Sequence, residues 1–124
     1  MDSSSGTGAI QEFIVELSAA TLGLGSFCNT MPQSEAEMRK ITDYAATVHG
    51  IHNRIMVGYD PAEGSSRIIE RFFSQWNNMV FGVFYVAEIV DKNKTLTTRQ
   101  FKIFQDSVAE IMRYTSRFGV KYDR

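Results

Sequence analysis

Two histidines are the side chains of this sequence whose spacing best suits joint chemistry. His49 and His52 stand three residues apart, so on a helix their rings occupy neighbouring positions of one surface. Two imidazoles at that spacing can share a metal ion, with the remaining ligands drawn from another helix. The sequence has no glutamate-x-x-histidine pair of the kind that builds di-iron centres in helical bundles. A hydrogen-bonded core histidine at His52 is therefore the principal reading. A metal- or cofactor-binding bundle with a redox or sensor role, using His49 and His52, is the alternative. No cofactor is expected.

Three other features are candidates for chemistry, and each has a structural explanation. Cys28 is the single cysteine, so there is no internal disulfide; without a flanking signature it reads as a small buried hydrophobe. Glu88 is the lone carboxylate of a very apolar run, where burial would raise its pKa; being near the end of that run, it is expected to reach solvent. The glycines at positions 6, 8, 23 and 25 are not followed by Lys-Ser or Lys-Thr, so no phosphate-binding loop is encoded. The expectation is a protein that is not an enzyme.

The elements that would position these residues are helices, and the chain is organised around the third. Asp60-Pro61-Ala62-Glu63 has the order of a helix start: an acceptor at the cap, proline next, an acid in the first turn. Ile68, Ile69, Phe72, Phe73, Trp76, Met79, Val80 and Val83 then recur at helical steps. Trp76 is expected at the centre of the buried face. From Met79 to Ala87 there is no charged residue; a helix apolar all round is covered on all sides, by its own chain or by a partner. The run is far short of the ~20 residues of a membrane span.

Before it, Ile10, Phe13, Ile14, Leu17, Thr21 and Leu24 mark a first helix, and Ser34-Glu35-Ala36-Glu37 is a capping box opening a second. The second carries Met38, Ile41, Ala45, Val48, His52 and Ile55 on one face. Thr97 and Gln100 form another capping box, followed by a face of Phe101, Phe104, Val108, Ile111, Met112, Thr115 and Phe118, with Gly119 as the stop. No alternating strand pattern or repeat is present. The spacing predicts an all-α four-helix bundle with helices at 9–24, 34–57, 61–91 and 98–118. Residues 1–8 form a serine- and glycine-rich flexible tail, and 9–124 a single domain.

Composition agrees with a globular chain, and neither an export signal nor a lipidation motif is visible, so a cytoplasmic protein is expected with no membrane partner. Net charge is −1 but unevenly spread: residues 1–65 carry −5 and residues 91–124 carry +4. The positive side chains Arg99, Lys102, Arg113, Arg117 and Lys121 lie along the fourth helix and its tail, where they could follow a nucleic-acid backbone. Asp106 and Glu110 interrupt that stripe, which is the pattern of an ordinary solvated face.

The spacing Phe101-x-x-Phe104, Ile111-x-x-Tyr114 and Phe118-Gly119-x-Lys121 resembles the closing helix of the small helical subunit of type III CRISPR effector complexes. The resemblance covers about a sixth of the chain, and no arginine follows Tyr85-Val86-Ala87 as that family would suggest. It implies a non-catalytic subunit that stacks along a filament and holds guide or target RNA by its backbone.

Together these readings give a non-enzymatic interaction or assembly module that acts within an oligomer or a larger complex. Its expected interface is Phe81, Phe84, Tyr85 and Ile89. At 100° per residue, Phe81, Tyr85 and Ile89 fall on the side held earlier in the helix by polar residues. Gly82 beside them would let a neighbouring helix approach closely.

Overall fold

The computed structural model describes residues 5–58 and 67–119, with the side chains of 5–10, 58, 67–70 and 72 outside that description. The expected Asp60 cap and the basic residue Lys121 thus lie outside the described residues. Four helices are present: α1 (Ser5–Leu22), α2 (Glu35–Gly58), α3 (Arg67–Asn93) and α4 (Thr98–Ser116), with a 3-10 turn at Phe27–Asn29. No strand occurs among the described residues, so the chain is an all-α four-helix bundle. No described helix is long and apolar enough to cross a membrane.

Each helix packs on its chain neighbours, and α1 closes the ring against α4. The contacts between α1 and α2 run in opposite chain order: Thr21 meets Tyr44, and Glu16 meets Arg54. Those between α2 and α3 do the same, His52 meeting Trp76 and His49 meeting Phe84. Successive helices α1, α2 and α3 therefore alternate in direction.

The core is built from the expected faces. Ile14 and Leu17 of α1 meet Ile41, Val48 and Ile55 of α2, together with Trp76, Val80 and Val83 of α3 and Phe104, Val108 and Ile111 of α4. Tyr44 and Ile51 are also buried. The Tyr44 hydroxyl is within 2.9 Å of Thr21 Oγ1, and Thr21 donates to the Leu17 carbonyl at 2.7 Å. A tyrosine can enter this core because its one polar atom has a partner there.

Helix ends depart from the expected bounds in instructive ways. Residues 5–8, expected in a flexible tail, form the first turn of α1. Gly6 and Gly8 cost about 1 kcal/mol each there, and a helix packed at Ile14 and Leu17 can propagate back through them. At its other end α1 stops at Leu22, before Gly25, which takes φ +58°. The Ser34 hydroxyl caps α2 by accepting the Glu37 amide at 3.1 Å, but Glu37 reaches back to the Gln33 amide at 2.6 Å instead of to Ser34. The capping box at Thr97 and Gln100 is complete. α4 ends at Ser116, two residues before the expected 118, with Arg117 as its cap, and the turn that follows reaches Gly119 at φ +93°.

α3 and α4 approach most closely at Gly82. A Cβ built there would lie 2.9 Å from Ser107 Cβ and 3.2 Å from the Ile103 carbonyl oxygen. The close approach expected of Gly82 is therefore used by α4 of the same chain. The Ser107 hydroxyl also donates to the Met79 carbonyl of α3.

Candidate functional site

The features that could engage something outside the bundle lie on α3 and on the outer side of α4. Phe81 is 68% exposed and Tyr85 41% exposed, and their rings stack with centroids 6.2 Å apart and planes 13° off parallel. They are one helical turn apart, so the stack follows directly from helix geometry. Val83, Val86 and Val90 of the same run are buried. The apolar second half of α3 is thus covered on its inner side and leaves an aromatic pair on its outer side.

The other two expected interface residues are placed differently. Phe84 is half-buried and meets the rings of His49 and His52 edge-on, at 5.7 and 6.1 Å. Ile89 is half-buried and packs on the core. Both sit roughly 60–80° around the helix from the midpoint of Phe81 and Tyr85, enough to turn them from water toward neighbouring helices.

A groove between α3 and α4 runs beside the aromatic pair. Asn78 and Gly82 line its α3 side, and Ile103, Asp106 and Glu110 are among the residues on its α4 side. Arg99, Lys102, Asp106, Glu110, Arg113 and Arg117 are all exposed. Lys102 pairs with Asp106 at 2.8 Å, and Arg113 pairs with Glu110. These i,i+4 and i,i+3 pairs take up two of the four cations, so the middle of the stripe offers phosphate little net charge.

His49 and His52 are held by different partners. Trp76 is fully buried and donates its indole N–H to His52 Nδ1 at 2.7 Å. The two rings also stack, 19° off parallel. His49 is exposed, its ring 6.4 Å from that of His52, with Asn53 Nδ2 3.4 Å from its Nδ1. Burial, and then the charge of His49, hold His52 below the ordinary histidine value. Among the described residues no group of three or more His, Cys, Asp or Glu side chains is gathered to hold a metal. One nitrogen of His52 is already occupied by the indole, so this partly exposed histidine serves as acceptor to a buried tryptophan.

Cys28 and Glu88 have equally plain settings. Burial pushes the Cys28 thiol up to about 11, which leaves it mostly protonated and a poor nucleophile. Its carbonyl accepts from Gln105 Nε2 at 2.6 Å, tying the turn after α1 to α4. Phe27 beside it sets its edge on Phe101 and Phe104. Glu88 is exposed at the surface of α3 and pairs with Lys92 at 3.2 Å.

Sequence reasoning had no signal for the indole–imidazole bond, because Trp76 and His52 are 24 residues apart. It also missed Val15 and Val57, which are 62% and 87% exposed on otherwise regular helices. No family model, no curated protein and no solved structure matches the chain.

Proposed function

We propose that the chain is a non-enzymatic helical interaction module that works within an oligomer or a larger assembly and docks through Phe81 and Tyr85. The observation behind this reading is the stacked, solvent-facing pair of those two rings on a helix whose inner side is buried. Covering a large apolar side chain is worth about 1.5–3 kcal/mol, and aromatic anchors beside a groove are the usual energetic centre of an interface. The groove lined by Asn78, Gly82 and Ile103 would let a partner's side chains seat next to the rings. The settings of Cys28 and His52 add support, since neither has the arrangement of a nucleophile or a general base.

The test is mass in solution, and co-purification from the native host, for the parent, Phe81→Glu and Tyr85→Glu. A folded variant with a smaller mass or a lost partner supports the reading. Two unfolded variants and a parent that stays monomeric at high concentration would place the rings in a structural role and remove it. A complex with RNA that weakens with salt and with loss of Arg99 and Arg117, but not with Phe81→Glu, would instead move the function to α4.

A further inference from the structure

The bond between Trp76 and His52 has a property that an ordinary core contact lacks: one of its partners titrates. An indole N–H can only donate, so the bond requires His52 Nδ1 to be unprotonated. In that tautomer the ring proton sits on Nε2, and a second proton can be added only at Nδ1. Protonation would set two N–H groups against each other at a separation of 2.7 Å, a distance that suits a donor and an acceptor. Trp76 is fully buried, whereas His52 is half-exposed. A proton from solvent can therefore reach the acceptor side of the bond.

We propose that Trp76 and His52 form a proton-operated latch on the contact between α2 and α3, closed when His52 is neutral and released when it is protonated. The latch is independent of the docking role of Phe81 and Tyr85.

The surroundings oppose charging of His52 and so support an opening as pH falls. On α2 itself, His49 stacks near His52 and opposes its charging. Arg54, two residues on, is engaged with Glu16 of α1. On α3 the rings of Trp76 and Phe84 flank the imidazole. The ionisable side chains described on that helix are exposed: Arg71, Tyr85, Glu88, Asp91 and Lys92, with Glu88 held by Lys92. Among the described residues no carboxylate is set to stabilise an imidazolium at this position, and burial holds His52 in its neutral form. The stacked indole face offers a cation some compensation, set against the donor–acceptor bond that protonation removes.

His52 is held below its unfolded value, so the closed state is favoured above that value. It is weakened progressively as pH falls toward the folded-state value. Opening acts on the α2–α3 contact between His52 and Trp76, whereas the α3–α4 contact at Gly82 involves neither residue.

Trp76 is the single tryptophan, so its fluorescence and its indole N–H resonance report on the latch directly. In the full chain taken from pH 7.5 to pH 5, the emission should shift to the red. Indole hydrogen exchange should rise at least about tenfold, with helical circular dichroism unchanged. The midpoint should coincide with titration of the His52 ring followed by NMR and lie below the ordinary histidine value. His52→Gln, whose amide oxygen accepts the indole N–H and does not titrate, should abolish the transition. His49→Gln should keep it and move its midpoint upward. A transition that survives in His52→Gln overturns the proposal. So does an indole signal that ignores titration of the His52 ring in the parent chain, a measurement that needs no variant to fold. Loss of helical signal together with the fluorescence change would also overturn it, by showing global unfolding in place of a local latch.

Discussion

Gly82 of α3 and Ser107 of α4 touch where the two helices come closest, so that a methyl group added at Gly82 would fall 2.9 Å from Ser107 Cβ. The Ser107 hydroxyl bonds the carbonyl of Met79, one turn before Gly82. The glycine permits the close crossing, and a buried serine uses it to reach backbone. Gly82→Ala should force the helices apart and cost about 1–3 kcal/mol in denaturant unfolding. Gly50 of α2 is the control, since a Cβ there meets nothing within 4 Å. Gly50→Ala should stabilise by about 0.5–1 kcal/mol through helix propensity. Equal effects at both sites would show that the close crossing contributes nothing.

Trp76 should be the most costly single truncation on α3. Its side chain is wholly enclosed by the core, so Trp76→Ala should lose about 3–5 kcal/mol. Trp76→Phe should recover much of the packing and still leave His52 Nδ1 without its donor. A thermal or urea unfolding series distinguishes these, and a loss under about 1 kcal/mol for Trp76→Ala would contradict the burial.

The short link from α3 to α4 holds two opposite opportunities. Lys94 is in the left-handed region at φ +58°, donating its amide to the Val90 carbonyl at 2.9 Å. A side chain there costs about 1–2 kcal/mol of backbone strain, and glycine carries its own entropic cost. Lys94→Gly should therefore raise stability by roughly 0.5–1 kcal/mol. Thr97→Ala should lower it by about 0.5–2 kcal/mol, because the Gln100 amide loses its 3.1 Å acceptor. Unfolding midpoints that move in the same direction would be the contrary result.

Cys28 should react slowly until the bundle opens. With its thiol pushed up to about 11 from 9.0 by burial, the native chain at pH 8 holds roughly a hundredfold less thiolate than the unfolded chain. Alkylation followed by mass should be correspondingly slow in buffer and fast in denaturant. Equal rates in the two would show that the turn at Phe27–Asn29 does not shield the thiol.

Much of the fold was legible because it rests on local rules. The three- and four-residue spacing of Ile41, Val48 and Ile55, and of Phe101, Phe104, Val108 and Ile111, determines which faces turn inward whatever the neighbours are. Thr97 with Gln100 determines a helix start by backbone chemistry alone. What only the tertiary structure decided are the relationships between helices. Periodicity placed Phe81, Phe84, Tyr85 and Ile89 in one apolar run, yet the position of the adjacent helices half-buries Phe84 and Ile89 and leaves Phe81 and Tyr85 in water. Gly82 announced a close approach without saying to what, and α4 proved to be the neighbour because Ser107 is small enough to meet it. His52 carried a candidate ligand nitrogen in the sequence; the packing of α2 on α3 aimed that nitrogen at the one buried indole, since a donor in an apolar core must find an acceptor.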